Sequence, residues 1–193
     1  MAKLYFHYAT MNAGKSTMLL QASYNYRERG MRTVIFIAAL DERAGKGKVA
    51  SRIGLSSDAI PFGSDDDLFA AIADMHAQEP IACVFIDEAQ FLSAEQVWQL
   101  ARVSDQVGIP VMAYGLRTDF QGKLFPGSYE LLAIADELRE VRTICHCGRK
   151  ATMVVRVDES GAVIREGAQV EVGGNDKYVS LCRRHWAEEM RCD

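Results

Sequence analysis

Tyr8-Ala9-Thr10-Met11-Asn12-Ala13-Gly14-Lys15-Ser16-Thr17 follows the apolar run Leu4-Tyr5-Phe6 and leads into a helical pattern that begins at Met18. A strand, a glycine-containing turn and a helix in that order read as a phosphate-binding loop. Gly14 lets the backbone approach a triphosphate, Lys15 can reach its terminal phosphates, and Ser16 can offer a hydroxyl to Mg²⁺ at the helix N-terminus. Ala9, Thr10, Met11, Asn12, Ala13 and Thr17 complete the loop, and a nucleoside triphosphate is its expected ligand. Ala9 stands where such loops usually open with glycine, and its methyl group is tolerated if the backbone there has negative φ.

A second motif completes the first. Ala82-Cys83-Val84-Phe85-Ile86-Asp87-Glu88-Ala89-Gln90 is an apolar run of strand length ending in adjacent carboxylates. A parallel strand buried on both faces has that texture, and its carboxyl end is where α/β sheets place chemistry. Asp87 is expected to hold Mg²⁺ with Ser16. Side chains alternate along a strand, so Glu88 points elsewhere and is free to act as a base on an acceptor. Gln90, at the same strand end, is grouped with the nucleotide-binding residues.

The chain has 193 residues, 49% of them hydrophobic and 25% charged, as ordinary globular proteins have. No run approaches the ~20 apolar residues of a membrane span, and no basic segment followed by a signal-type apolar stretch opens the sequence, so the cytoplasm is the expected compartment. Net charge is -4, and residues 145–193 carry 8 basic and 8 acidic residues, so neither part has the basic stripe of a nucleic-acid binder. Neither a nucleic acid nor a membrane is an expected partner.

Residues 3–144 alternate strand-like and helix-like segments, which predicts an α/β domain built on a parallel sheet. Helices are expected at 16–29, 65–78, 93–107 and 129–138, and strands at 4–8, 33–38, 82–87, 110–114 and 141–145. Ser93 and Gln96 form a plausible capping box, and Trp98 is either partly buried or at a subunit contact. Residues 41–57 read as a long mobile loop, and 115–128 as a loop carrying Phe120 and Phe125. His7 and His76 read as structural. From Cys145 the texture changes to short β-like runs at 152–157 and 162–165, which sets a division into domains 1–144 and 145–193.

Within that small second part, Cys145-His146-Cys147 and Cys182-Arg183-Arg184-His185 bring two pairs of soft ligands from two chain segments. Tetrahedral Zn²⁺ on Cys145, Cys147, Cys182 and His185 would staple a unit too small for a large core, with His146 able to compete for a place. Cys83 reads as packed core and Cys192 as free.

Met11-Asn12-Ala13-Gly14-Lys15-Ser16-Thr17, Asp87-Glu88-Ala89-Gln90-Phe91, Gly115-Leu116-Arg117-Thr118-Asp119-Phe120, the cysteine pairs and Gly173-Gly174-Asn175-Asp176-Lys177-Tyr178 occur in one order. In these motifs the chain closely resembles the zinc-containing type II thymidine kinases over nearly its whole length. The resemblance implies a RecA-like P-loop domain with a small C-terminal zinc-binding β domain. It also implies ATP as phosphoryl donor, thymidine or deoxyuridine as acceptor between the two domains, homotetramer assembly, and inhibition by thymidine triphosphate. A lasso-like loop holds the base through its backbone in that family, and the matching residues here are Gln169, Val170, Glu171, Val172 and Gly173, with Tyr178 close by. Met11, Phe91, Leu116, Phe120 and Phe125 match apolar positions of the nucleoside pocket, although Met11 and Leu116 could equally be core. Asp41, Arg43, Arg52 and Arg117 are polar-loop candidates for a role near the phosphates. The departures from the family pattern are Ala9, the Cys-x-Cys spacing and His185 as final ligand.

Overall fold

The computed structural model describes residues 1–41, 45–170 and 177–191. Six strands form one parallel sheet: β1 (Leu4–Ala9), β2 (Thr33–Ala38), β5 (Ile60–Phe62), β6 (Cys83–Asp87), β7 (Val111–Leu116) and β8 (Glu137–Glu140). Their order across the sheet is β5-β2-β6-β7-β1-β8, and every neighbouring pair is parallel. This is the RecA-like α/β arrangement, with β7 standing between the loop-bearing β1 and the acidic β6.

Alternation along the strands builds two apolar layers. Val34, Phe36, Val84, Ile86, Val111 and Ala113 face α2 (Leu68–Gln78), α3 (Ala94–Arg102) and α4 (Pro126–Ile134) through Ile72, Val97, Leu100 and Leu131. Ile35, Ile37, Cys83, Phe85 and Tyr114 face the opposite way, onto Leu19 and Leu20 of α1 (Lys15–Glu28). With both faces covered and all strands parallel, the free carboxyl ends of β1, β2, β6 and β7 gather at one rim.

Several expected bounds move. α2 starts at Leu68, not residue 65, because the Asp67 carboxylate caps it by accepting from the Ala70 amide at 3.0 Å. The Ser93–Gln96 capping box forms, with both reciprocal bonds at 3.1 Å, but α3 ends at Arg102 and a single π-turn (Val103–Val107) carries the chain to Gly108. α4 stops at Ile134, where Asp136 turns away to accept from the Leu4 amide at 2.8 Å. The sheet strand there is β8, not 141–145. It is an edge strand, so its charged residues stay wet while Lys3 pairs with Glu137 at 2.7 Å. Trp98 stands 54% exposed on α3.

The expected loop at 41–57 contains an antiparallel hairpin, β3 (Lys48–Ala50) with β4 (Ser56–Asp58). Val49, fully buried beside the α1 layer, anchors it. β5 holds Pro61 on the outer edge of the sheet, where a missing amide costs no ladder bond.

The C-terminal part contains the pair β9 (Thr143–Ile144) with β10 (Lys150–Ala151), and a three-stranded antiparallel sheet of β12 (Val163–Ile164), β11 (Met153–Val157) and β13 (Tyr178–Leu181). Helix α5 (Arg183–Met190) closes it. Its apolar cluster is small, with Cys145 and Cys182 among its five buried members.

Candidate active site and metal centre

At the rim, β1 runs into the phosphate loop. Ala9 is paired with Leu116 as the last residue of β1, and among the described non-glycine residues only Asn12 and Glu88 have positive φ, so the methyl of Ala9 carries no strain. Gly14 takes φ 85° and launches α1 at Lys15, a left-handed conformation that favours glycine. Lys15 is buried, its Nζ donating to the Thr10 carbonyl at 3.1 Å. Ser16 Oγ donates to Asp87 Oδ2 at 3.0 Å.

Met11, Asn12, Ala13, Gly14, Lys15, Ser16, Thr17 and Asp87 line one cavity of about 400 Å³. Lys48, Ser51 and Arg52 of the hairpin close its far side, with Ile37 and Asp41. Of the residues expected around the phosphates, Ala9 and Thr10 are buried in the stem and do not line this cavity.

Burial pushes the Asp87 carboxyl well above the usual carboxylate range, and the neighbouring Glu88 charge pushes the same way. Lys15 and the Ser16 hydroxyl counter only part of that. A donor set made of a hydroxyl and a carboxylate, all oxygen, suits a hard divalent cation such as Mg²⁺.

Glu88 follows Asp87 in a left-handed conformation, φ 53° and ψ 40°, which costs on the order of 1–3 kcal/mol for a non-glycine residue. The turn it opens (Ala89–Phe91) is clamped between two glycines. A Cβ on Gly127 of α4 would stand 2.5 Å from the Ala89 carbonyl oxygen, and one on Gly115 of β7 would stand 2.9 Å from the Gln90 amide. Gln90 is buried, its Nε2 donating to Glu88 Oε2 at 2.5 Å while its Oε1 accepts from the Leu116 amide at 2.9 Å. Ser128 Oγ extends the chain of bonds by donating to the Leu116 carbonyl.

A second, largely apolar cavity opens on the other side of Glu88. Met11, Phe91, Leu116, Phe120, Phe125, Gln169, Val170 and Tyr178 all line it. Gln90 lines this cavity rather than the phosphate cavity. Phe91 and Phe125 meet edge to face, 5.9 Å between centroids. Glu88, Met11 and Asp41 line both cavities.

Leu40, Thr118, Asp119 and Val154 also line the second cavity; Thr118 and Asp119 belong to the Gly115–Phe120 motif, whereas no motif contained Leu40 or Val154. Arg117 does not line the cavity at the loop and instead donates to the Thr152 carbonyl at 3.0 Å. Glu171, Val172, Gly173, Gly174, Asn175, Asp176, Arg43 and Cys192 lie outside the described residues.

The C-terminal part docks on the same rim. Ser180 Oγ of β13 donates to the Met11 carbonyl at 2.6 Å, and Trp186 Nε1 of α5 donates to the Phe120 carbonyl at 3.0 Å. Ligand atoms of Cys145, Cys147, Cys182 and His185 lie within 4.8 Å of one another. The separations are 3.3 Å from Cys145 Sγ and 3.6 Å from Cys182 Sγ to His185 Nδ1, and 3.9 Å between the Cys147 and Cys182 sulfurs. Zinc–sulfur bonds of about 2.3 Å in a tetrahedron set sulfurs about 3.8 Å apart, so these residues fit Zn²⁺. Burial opposes the Cys145 thiolate, but the Cys147 amide and His185 outweigh it and bring its pKa to about 5. His146 is not part of the cluster; its ring stacks on His185 at 4.3 Å.

Outside the site, His76 Nδ1 accepts from the Ile81 amide at 3.0 Å, and His7 stacks on Tyr114 at 4.4 Å. No helix among the described residues is long and apolar enough to cross a membrane.

A family model described as thymidine kinase matches residues 2–186. The thymidine kinase of Agrobacterium fabrum is 73% identical over 192 residues, covering 100% of both chains. That of Rhizobium meliloti is 74% identical over 193 residues, covering 99% of each, and that of Photobacterium profundum is 60% identical over 190 residues, covering 98% of this chain and 99% of its own. A solved Pif1 helicase from Candida albicans aligns at a TM-score of 0.45 and 13% identity over 74% of this chain and 36% of its own, too slight a likeness to bear on function. On the family match and on relatives identical at three positions in five or more over their full lengths, this chain belongs to the thymidine kinase family.

Proposed function

We propose that the chain transfers the γ-phosphate of ATP to the 5′-hydroxyl of thymidine, and of deoxyuridine, releasing the nucleoside monophosphate for DNA synthesis. The observation that carries this is the position of Glu88 on the wall shared by the phosphate cavity and the apolar cavity. A nucleoside bound on the apolar side presents its hydroxyl to Glu88, and a triphosphate bound on the loop presents its terminal phosphorus from the other side.

Phosphoryl transfer depends on positioning and charge neutralisation more than on covalent help from the protein. Lys15 and the amides of residues 11–17 hold the β- and γ-phosphates. Ser16 and Asp87 would hold Mg²⁺, whose charge would offset the negative charge of the transferred group. Glu88 takes the proton from the 5′-oxygen as it attacks phosphorus in line. Gln90 keeps the Glu88 carboxylate aimed, and the glycine clamp holds its strained backbone.

Phe91, Phe125 and Phe120 enclose the base, with Met11, Leu116 and Tyr178 around the sugar. The Gln169 side chain is engaged by Asp119 at 2.9 Å, which leaves its backbone and that of Val170 for the base edge. Division into domains 1–144 and 145–193 places the nucleoside between a catalytic and a zinc-stapled part, with Zn²⁺ on Cys145, Cys147, Cys182 and His185. A cluster of free thiols of this kind belongs in a reducing compartment, the cytoplasm. Thymidine triphosphate, its base in one cavity and its phosphates in the other, blocks both at once. Homotetramer assembly is in keeping with Trp98 and Tyr129, exposed on helices α3 and α4 that pack together.

The test is incubation with Mg-ATP and, separately, thymidine, deoxyuridine, deoxycytidine, deoxyguanosine or no acceptor. Monophosphate from thymidine and deoxyuridine alone supports the assignment. No monophosphate from any nucleoside, with ATP still bound, defeats it.

A further inference from the structure

Arg156 lies on β11 two residues beyond Val154, so both side chains project from the same face, and Val154 lines the apolar cavity. The Arg156 side chain is 3% exposed. A guanidinium that deep is retained only where contacts compensate its lost hydration. Its central carbon stands 4.1 Å from the centroid of the Phe120 ring, and Nη1 donates to the Ala168 carbonyl at 3.1 Å. Gly167 takes φ +146°, and a Cβ there would overlap Nη2, so the chain is glycine where it passes the guanidinium.

One cation therefore touches both walls of the cavity: the aromatic ring on the 117–125 loop, and the stem that delivers Gln169 and Val170. Two further bonds join the same pieces, Gln169 Nε2 to Asp119 Oδ2 at 2.9 Å in the cavity wall and Gln121 Nε2 to the Arg165 carbonyl at 3.2 Å at the exposed edge. Arg156 holds them from the inside.

We infer that Arg156 is a positioning residue for nucleoside capture, fixing Phe120 and the 167–170 stem relative to each other so that the base enters a preformed slot. Preorganisation of this kind acts on binding, because a slot that must be ordered by its ligand binds it less tightly. Arg156 does not line the phosphate cavity, so nucleotide binding and the chemical step are not its concern. The inference rests on the thymidine reading of the cavity.

Arg156→Met keeps a long side chain against Phe120 but removes charge and donors, and Arg156→Lys restores the charge with a different donor geometry. Expected is a rise of about tenfold in thymidine KM for R156M, with kcat within about twofold and ATP KM unchanged, and partial recovery in R156K. Gly167→Ala disturbs the same contact from the stem, keeps the test alive should R156M not fold, and should raise thymidine KM similarly. In combination the two changes should be far from additive. Wild-type protein assayed in parallel separates the two levels of argument. Absence of thymidine phosphorylation by wild type defeats the functional reading. Active wild type with wild-type thymidine KM in R156M or G167A, or variants in which kcat, ATP KM and thymidine KM deteriorate together, overturns the role of Arg156.

Discussion

Gln90 bridges Glu88 and Leu116: its amide nitrogen donates to the Glu88 carboxylate at 2.5 Å and its carbonyl accepts from the Leu116 backbone at 2.9 Å. The bridge ties the carboxylate of one strand end to the backbone of the next. Removing it in Gln90→Leu takes one hydrogen bond from the Glu88 carboxylate and orphans the buried Leu116 amide. We expect kcat to fall by roughly ten- to hundredfold, as outer partners of catalytic groups usually cost, with ATP affinity within about threefold of wild type. Steady-state kinetics beside a nucleotide titration checks it.

Gly127→Ala places a methyl 2.5 Å from the Ala89 carbonyl oxygen and 2.9 Å from that of Leu92. Backbone on both sides cannot yield as a side chain does. The expected cost is about 1–3 kcal/mol of stability, read as a lower urea midpoint, with a loss of turnover because the displaced turn is the one that carries Glu88.

Burial, helped by the nearby Arg139 charge, lowers the pKa of His7 to about 4. Between pH 6.5 and 4 the unfolded chain binds a proton at this site that the folded chain refuses. Stability from this residue is thus complete above pH 6.5 and declines as pH falls towards 4. His7→Phe keeps an aromatic ring against Tyr114 and removes the titration. Its stability relative to wild type should therefore rise by on the order of 2 kcal/mol between pH 7 and pH 4, as urea midpoints at several pH values will show.

Zinc removal should weaken thymidine binding before ATP binding. His185 and Trp186 are adjacent, and the Trp186 indole holds the Phe120 carbonyl. A strong chelator, or Cys182→Ser, is expected to release about one equivalent of zinc per chain. Loss of the indole contact should shift the tryptophan emission and raise thymidine Kd, while Mg-ATP binding is largely kept.

Parts of the structure whose physics is local could be read from residues alone. The Gly14-Lys15-Ser16 turn, the apolar β6 strand ending in Asp87 and Glu88, and the Ser93–Gln96 box each announce themselves within a few positions. The clustering of Cys145, Cys147, Cys182 and His185 could also be read, since four such donors in a small unit have few other uses. Elements held by distant partners could not. The β3–β4 hairpin has one fully buried side chain, Val49, amid glycine, serine and charge. Edge strand β8 shows no apolar run because water covers it, and β13 and α5 draw their order from the neighbouring sheet and the ligand cluster. Gln90 read as a nucleotide contact because of its place in the motif; its partners, Glu88 and Leu116, belong to the apolar side. Arg117 offered only its charge, and the Thr152 carbonyl that accepts from it lies 35 positions away.

Glu88→Gln, followed through a single turnover with Mg-ATP and thymidine, is the decisive measurement. The change keeps size and hydrogen bonding but removes the proton acceptor. If Glu88 takes the proton from the 5′-hydroxyl, monophosphate formation should slow by about a hundredfold or more, with ATP and thymidine still binding within a few fold of wild type. A single-turnover rate close to wild type would contradict the account and assign the base to another group.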